Sequence, residues 1–360
     1  MAHNLAFIGF GGVGQGLAEI LRDKGGQLRH DAGLEARIVA VSDPLKGGLY
    51  HPDGLDIATL LRVVERANTF DDYPATPGLV TGWDSFKTIR DTNADTIVEV
   101  TYTDLRTGQP AVDHCRAAFE AGKNVVTSNK GPVVLAYREL SALARTHGVG
   151  WGFEGTVMSG TPALRLPLTT LAGNDIGEMR GILNGTTNYI LTRMEDGLSF
   201  DDALREAQQR GYAEADPTNA VEGYDARGKV VILANVVMGV PLRQDEVACQ
   251  GISHMTAADI SRAAAEGKRW KLLARVRKEG QDVAARVAPE MIPLTDPLAG
   301  VAGATNAITY ECDLLGPVTL VGAGAGRLET GFALLSDVIT IMHVRTAVGV
   351  VFPLTPSPSP

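Results

Sequence analysis

The sequence has few cysteines, no surplus of basic residues and no long apolar run. Its three cysteines, Cys115, Cys249 and Cys312, are an odd number without C-x-x-C spacing. This argues against a disulfide framework and against a cysteine metal site, and it favours a reducing cytoplasm. The 33 Lys and Arg face 42 Asp and Glu, for a formal net charge of -9. The chain therefore lacks the cationic surplus that sequence-independent nucleic-acid binding needs.

Long apolar segments are also missing. No run reaches the roughly 18 to 20 residues that a membrane helix requires, so we expect no bilayer span. The opening stretch MAHNLAFIGFGGVG lacks the basic region and cleavage site of a signal peptide, and its glycines instead indicate a buried strand and turn.

At 360 residues and 44% hydrophobic, the chain can bury large cores, and its length favours two domains. Small molecules are the expected partners.

The first 150 residues alternate strand-like and helical segments. Short β-rich runs (LAFIGF, ARIVAVSD, TIVEVT and NVVTS) are each followed by a helical pattern. The helices are expected at about 13–24, 56–67, 110–121 and 136–147. This rhythm predicts an α/β fold with a Rossmann-type, doubly wound parallel sheet. Segment 44–82, rich in Gly, Pro and Asp, is interpreted as an insertion covering one sheet edge, with a plain connector as the alternative.

The pattern of predicted helices and strands changes near residue 150, where longer helices and mixed strands begin. We expect residues 1–150 to form the Rossmann-type domain and residues 151–322 to form an α+β domain. A helix within about 323–350 is expected to return to the first domain. The tail 351–360, rich in Pro and Ser, is expected to be disordered.

A glycine-rich loop follows the first predicted strand. The stretch IGFGGVGQGLAEIL places Gly9, Gly11 and Gly14 in G-x-G-x-x-G spacing between a strand and a helix. Such glycines permit a tight turn and let backbone N–H groups approach a pyrophosphate at the positive end of the helix. The spacing alone is a weak signal, but its context predicts a dinucleotide site. Its expected residues are Gly9, Phe10, Gly11, Gly12, Val13 and Gly14.

The end of the second predicted strand carries Asp43, whose carboxylate can accept hydrogen bonds from ribose hydroxyls. It lies beyond the usual interval of about 20 residues, which the extra KGGQLRHDAGLE explains. An acid disfavours a 2′-phosphate, so the sequence favours NAD over NADP, while nearby Lys46 leaves NADP open. Thr101 and Lys130 follow two further strands, at the sheet edge where ligands sit in open α/β folds. A helix cap or a surface residue is the alternative for each.

A candidate acid–base group lies in the second half. Oxidation by a nicotinamide needs a group that takes the hydroxyl proton, and no histidine stands in a motif for this. Asp225 and Lys229 lie four residues apart at the start of YDARGKVVILANVVMG and share a helix face. The following run is too apolar for an exposed helix, so Lys229 is expected to lose solvation, which favours its neutral form. A solvated surface pair is the alternative.

Other acids surround this pair in sequence. Glu214 and Asp216 precede it in a loop punctuated by Pro217, and carboxylates there can hold a substrate ammonium group. Asp216 also has the simpler interpretation of shaping the turn. The earlier acids are interpreted as a solvated helix face and its caps: Glu195, Asp196, Asp201, Asp202 and Glu206.

Over nearly all of residues 4–345 the chain resembles the homoserine dehydrogenases, in the short form without a C-terminal ACT regulatory domain. The motifs that carry the resemblance are GFGGVG, GGLYHPDGLDI, VEVT, GKNVVTSNKGP, FEGTVMSGTP, GILNGTTNYIL, GYAEADPT, VEGYDARGKVVILA and GAGAG. The resemblance implies reversible, NAD(P)-dependent interconversion of L-homoserine and L-aspartate 4-semialdehyde. It further implies a homodimer, built through the second domain, in threonine, methionine and isoleucine biosynthesis.

The resemblance also implies roles for the candidate residues. Lys229 is expected to be the proton donor and acceptor, while Lys130 positions the substrate. Glu214 and Asp225 are expected to bind homoserine or order a water. Contacts to the nicotinamide half of the cofactor are expected from Thr101 and Gly324, and Lys130 is also expected to contact the cofactor. A sodium ion is expected on backbone carbonyls, which suit a hard cation, in EGTVMSGT: Glu154, Val157, Ser159 and Thr161.

One departure keeps the substrate open. The family places an acid two residues after the Thr of DPT, whereas this chain has Ala220. A carboxylate missing opposite an ammonium costs on the order of 1 to 3 kcal/mol, which Asn219 offsets only in part. A second hypothesis is therefore a paralogue acting on a different hydroxy or aldehyde substrate. A third, a nucleotide-sensing scaffold, explains the glycine loop but not Lys130, Glu214, Asp225 and Lys229.

Overall fold

The computed structural model describes residues 2–346, which divide into two compact units. Residues 2–160 and 326–346 form the first unit, and residues 161–325 form the second. The tail 351–360, which the sequence predicts to be disordered, lies outside the described residues. No helix among residues 2–346 is long and apolar enough to cross a membrane.

The first unit is built around one seven-stranded sheet. Its strands are β1 (His3–Ile8), β2 (Ala36–Asp43), β3 (Gly47–Tyr50), β4 (Val80–Thr81), β5 (Thr96–Glu99), β6 (Asn124–Thr127) and β7 (Trp151–Gly152). They lie in the order β4-β3-β2-β1-β5-β6-β7. The five strands from β2 to β7 in this order pair in parallel, which confirms the predicted α/β fold. Segment 44–82 extends the sheet edge with the antiparallel strands β3 and β4.

Helices connect these strands. They are α1 (Gly12–Ala32), α2 (Ile57–Ala67), α3 (Ser85–Asp91), α4 (Ala111–Glu120), α5 (Lys130–Leu135) and α6 (Tyr137–Thr146). The prediction that the first helix ends near residue 24 is wrong, because α1 continues through two glycines to Ala32. Leu28 packs against the core from this extension, and the helix ends where Gly33 adopts a left-handed conformation with φ of 64°.

The second unit contains a six-stranded sheet. Its strands are β8 (Ile176–Ile182), β9 (Ala248–Cys249), β10 (Lys268–Glu279), β11 (Asp282–Pro293), β12 (Thr305–Cys312) and β13 (Gly316–Ala323). They lie in the order β13-β12-β8-β10-β11-β9 and pair antiparallel, apart from the short parallel pairing of β9 with β11. A cluster including Ile182, Leu273 and Ala307 is buried beside this sheet.

Five α-helices belong to the second unit: α7 (Gly185–Glu195), α8 (Phe200–Gln209), α9 (Thr218–Val221), α10 (Tyr224–Leu233) and α11 (Ala257–Ala265). Helices α7 and α10 pack on the sheet. Mixed helices and antiparallel strands agree with the predicted α+β character. The final helix, α12 (Arg327–Thr346), belongs to the first unit and packs against α1. Its Leu334 and Val338 share a buried cluster with Leu17 of α1.

Candidate active site

The glycine loop between β1 and α1 leaves room for a phosphate. Gly9 has φ of 88°, and a Cβ built on it would lie 2.6 Å from the carbonyl oxygen of Val100, so only glycine fits. At Gly11 the Cβ position has no atom within 4 Å, so the space in front of this residue is open. Helix α1 begins at Gly12 with no acid in its first turn. The open space and the positive helix end fit a bound dinucleotide.

Asp43 ties the end of β2 to this loop. Its carboxylate accepts hydrogen bonds from the backbone N–H of Phe10 at 2.9 Å, of Leu45 at 3.0 Å and of Lys46 at 3.2 Å. It also pairs with the Lys46 ammonium at 3.4 Å. Burial opposes ionisation, but these hydrogen bonds and the Lys46 charge outweigh it and lower the pKa of Asp43 below its ordinary value. The carboxylate is therefore ionised and already engaged, so a ribose hydroxyl would have to share it with Lys46.

Thr101 and Lys130 follow the neighbouring strands β5 and β6. Lys130 is the first residue of α5 and is half-buried. Asn129 caps this helix by accepting from the Gly131 N–H at 3.0 Å. Its side-chain amide donates to the carbonyls of Tyr102 at 3.0 Å and Thr101 at 3.3 Å. The structure thus joins the two loops that carry Thr101 and Lys130.

Lys229 lies in α10 with a side chain only 7% exposed. Its Nζ donates to Asp225 Oδ2 at 2.7 Å and to the Leu183 carbonyl at 2.6 Å. The same Asp225 oxygen accepts from the Asn184 amide at 3.0 Å. Nearly all of α10 from Ala226 to Leu233 is buried, which carries Lys229 into the interior. The pair therefore joins a buried lysine to a half-buried carboxylate and is not a solvated surface feature.

Glu214 has a different environment. It is exposed in the loop between α8 and α9, where its carbonyl accepts from Gln208 Nε2 at 3.1 Å. Asp216 accepts from the Thr218 N–H at 3.1 Å and from its hydroxyl at 2.6 Å, which lowers the pKa of Asp216 and stabilises the turn into α9. Ala220 lies within α9 and is half-buried. Of the acids in this loop, Asp216 therefore shapes the chain and Glu214 presents its carboxylate at the surface.

The stretch expected to hold sodium has unusual backbone. Met158 and Ser159 have φ of 57° and 54°, values that residues other than glycine seldom adopt. Ser159 and Glu154 are buried, and Val157 follows a short 3₁₀ turn over Glu154–Thr156. Thr161 begins the second unit, where its hydroxyl donates to the Ala323 carbonyl at 2.9 Å. Among residues 2–346 no cluster of three His, Cys, Asp or Glu could hold a metal, so an ion here would depend on carbonyls.

Two buried polar residues of the second unit were missed by the sequence prediction. Asn306 of β12 is 0% exposed, and within the described chain both polar atoms of its amide lack a hydrogen-bond partner. A Cβ on Gly324 would lie 2.1 Å from Asn306 Cγ, so this approach requires glycine. Lys271 of β10 is 1% exposed and donates to the Val301 carbonyl at 2.8 Å. A polar residue inside a strand of apolar neighbours, as in TNAITY and WKLLA, was the available signal.

Two protein-family models match most of the chain. Residues 9–154 match the family described as homoserine dehydrogenase, NAD binding domain. Residues 162–339 match the family described as homoserine dehydrogenase.

Individual proteins agree with these matches. The chain is 45% identical over 345 residues to an NAD(+)-dependent homoserine dehydrogenase of Pseudomonas canavaninivorans, covering 96% of this chain and 97% of that protein. It is 41% identical to a homoserine dehydrogenase of Methanocaldococcus jannaschii, with coverages of 94% and 98%.

Solved structures are similar as well. A homoserine dehydrogenase from Thiobacillus denitrificans aligns with a TM-score of 0.84 at 33% identity, covering all of this chain and 79% of that one. A hyperthermophilic archaeal homoserine dehydrogenase mutant in complex with NADPH aligns with a TM-score of 0.81 at 30% identity, with coverages of 96% and 98%.

Proposed function

The chain belongs to the homoserine dehydrogenase family, and we propose that Lys229 is the residue that exchanges the hydroxyl proton in its reaction. The protein is an oxidoreductase that interconverts L-homoserine and L-aspartate 4-semialdehyde with a nicotinamide dinucleotide. The paralogue hypothesis raised by Ala220 is not favoured, because identity to a homoserine dehydrogenase reaches 45% over 96% of the chain.

The ion pair of buried Lys229 with half-buried Asp225 is the observation that supports Lys229 as the acid–base residue. A bound nicotinamide supplies the hydride chemistry. In oxidation, neutral Lys229 accepts the hydroxyl proton; in reduction, its ammonium form returns that proton to the carbonyl oxygen. The contacts to Asp225 at 2.7 Å and to the Leu183 carbonyl at 2.6 Å hold the Lys229 Nζ at a fixed position in the fold. Asp225 also balances the charge that Lys229 gains.

Substrate contacts are proposed for three further residues. Lys130 positions the reacting oxygen, and Glu214 and Asp225 bind the amino-acid end or order a water. Since Ala220 provides no charge, recognition of the ammonium group then depends on Glu214 and Asp225. Exposure of Glu214 leaves its carboxylate accessible to a ligand.

The cofactor is proposed to be NAD in preference to NADP. Support comes from the ionised Asp43, which repels a 2′-phosphate, and from the NAD(+)-dependent relative. The paired Lys46 reduces this repulsion. The glycine loop from Gly9 to Gly14 is proposed to hold the pyrophosphate. Thr101 and Gly324 are proposed to contact the nicotinamide half, and Lys130 is proposed to contact the cofactor.

A sodium site, a homodimer and a place in cytoplasmic threonine, methionine and isoleucine biosynthesis complete the proposal. Sodium is proposed on the carbonyls of Glu154, Val157, Ser159 and Thr161.

Dimerisation is supported by the edge strand β13, where Val321 is 53% exposed, and by the adjacent turn, where Leu314 is 73% exposed. Light scattering on the purified protein measures the mass directly, and a monomer would refute the dimer.

Initial rates at the absorbance band of the reduced nicotinamide test the substrate and cofactor together. We expect turnover of L-homoserine, with kcat/KM higher for NAD than for NADP. A hydroxy acid of the same length without the amino group is the matched control, and it should react far more slowly. Equal rates with the two substrates would contradict recognition of the ammonium group, and a preference for NADP would contradict the role of Asp43.

A further inference from the structure

A buried carboxylate connects the two loops of the first unit that carry Thr101 and Lys130. Glu99, the last residue of β5, is 0% exposed. Its Oε1 accepts from the Thr101 N–H at 3.3 Å, and it also accepts from the Thr101 hydroxyl. Glu99 therefore holds Thr101 by both its backbone and its side chain.

The same residue reaches the neighbouring strand. The Thr127 hydroxyl, at the end of β6, lies 2.7 Å from the Glu99 carbonyl and 3.3 Å from Glu99 Oε2. This hydroxyl accepts from the Asn129 N–H at 2.9 Å, and Asn129 caps the helix that Lys130 begins. Because Asn129 also donates to the Thr101 carbonyl, the contacts form a closed circuit between the two loops.

A histidine approaches the same carboxylate oxygen that holds Thr101. His114 of α4 is 3% exposed; its Nδ1 lies 3.4 Å from Glu99 Oε1, and its Nε2 lies 2.9 Å from Ser85 Oγ. Burying a carboxylate is costly unless it is hydrogen-bonded, and an apolar residue would fill a buried strand position at lower cost. The hydrogen bonds that Glu99 makes connect the loops that carry Thr101 and Lys130, which gives the buried carboxylate a reason to be there.

We propose that Glu99 is a positioning residue for the reaction, acting on Thr101 directly and on Lys130 through Thr127 and Asn129. This inference rests on the proposed function, in which Thr101 meets the nicotinamide and Lys130 the substrate. The glycine loop does not take part in this circuit. We therefore expect a change at Glu99 to affect turnover more than binding of the pyrophosphate end of the cofactor.

Two variants of Glu99 test the inference by steady-state kinetics with L-homoserine and by NAD binding. Glu99→Ala opens the circuit, and since a displacement of about 1 Å costs on the order of 10²-fold, we expect kcat to fall by about that factor. The dissociation constant of NAD should change much less than kcat, because the glycine loop proposed to hold the pyrophosphate lies outside the circuit. Glu99→Gln keeps an acceptor towards Thr101 and His114, so it should restore kcat to within about threefold of the parent.

The matched control is Asp95→Ala, at the residue directly before the same strand. Asp95 accepts from the Asn4 N–H at 2.8 Å, so its loss perturbs the strand but not the circuit. The control should lower the melting temperature and leave kcat unchanged. If Glu99→Ala kept kcat within threefold, or if Glu99→Gln were as impaired as Glu99→Ala, the positioning role would be refuted.

A variant at another position of the circuit covers the case in which Glu99→Ala does not fold. Thr127→Val keeps the shape of a 0% exposed side chain but removes the hydroxyl link to Asn129. Amide hydrogen exchange of segment 127–131 should become faster, and kcat/KM for homoserine should fall about tenfold. Unchanged exchange would refute the circuit. Exchange needs no turnover, so an enzyme inactive with homoserine would refute the proposed function without obscuring this result.

Discussion

The buried Lys271 should make the protein more stable as the pH rises above 8. Burial, the largest effect, lowers the pKa of Lys271 from 10.5 to about 8; Glu195 opposes this shift and Arg269 adds to it. Between these two pH values the unfolded chain binds more protons than the folded chain, so the free energy of unfolding increases with pH. Below about pH 8 both states carry the charge and the full cost of burying it remains.

The magnitude follows from the shift. A difference of about 2.5 pKa units corresponds to about 3 kcal/mol at 1.36 kcal/mol per unit. Urea unfolding of the parent and of Lys271→Met, at pH 7.5 and pH 10, isolates this contribution. The parent should gain up to about 3 kcal/mol relative to the variant between the two pH values.

Lys268→Met is the matched control on the same strand. The Lys268 side chain is 38% exposed and pairs with Glu266, so its removal should give no comparable change with pH. If the stability of the parent relative to Lys271→Met stayed constant from pH 7.5 to pH 10, or fell, the reasoning about burial would be refuted.

Gly9→Ala should weaken NAD binding more than tenfold and lower the melting temperature, because its Cβ would meet the Val100 carbonyl at 2.6 Å. Gly11→Ala, with open space at its Cβ, should weaken NAD binding without loss of stability, as calorimetry and thermal unfolding can show. Asp225→Asn should lower kcat more than tenfold and the free energy of unfolding by about 1 to 3 kcal/mol, measured by rates and urea unfolding. Lys46→Met, which leaves Asp43 without its cation, should reduce kcat/KM for NADP more than for NAD. Parent-like values would contradict each expectation.

Much of the first unit was predictable because its signals are local. Each strand run is short, apolar and followed by a helix, and β2 spans the predicted ARIVAVSD as a unit. The end of α1 was mispredicted at the pair Gly25 and Gly26, since glycine costs about 1 kcal/mol in a helix. Packing of Leu28 against the core outweighs that cost, and such tertiary packing cannot be read from spacing.

In the candidate site, too, local features were predictable from the sequence and tertiary contacts were not. Asp225 and Lys229 share a helix turn, so their pairing was predictable from a spacing of four. Glu195, expected to be solvated, instead has a side chain 20% exposed near Arg269, which belongs to a distant strand. The contacts of Asn306 with Gly324 likewise depend on strand register, which one sequence does not reveal.

The proton-transfer role of Lys229 can be tested by the rate of L-homoserine oxidation by Lys229→Met, with NAD binding measured on the same sample. We expect a loss of about 10³-fold in kcat, within the usual contribution of a positioned general base, and an NAD dissociation constant within about threefold of the parent. Turnover within tenfold of the parent, from a folded variant, would show that another group handles the proton.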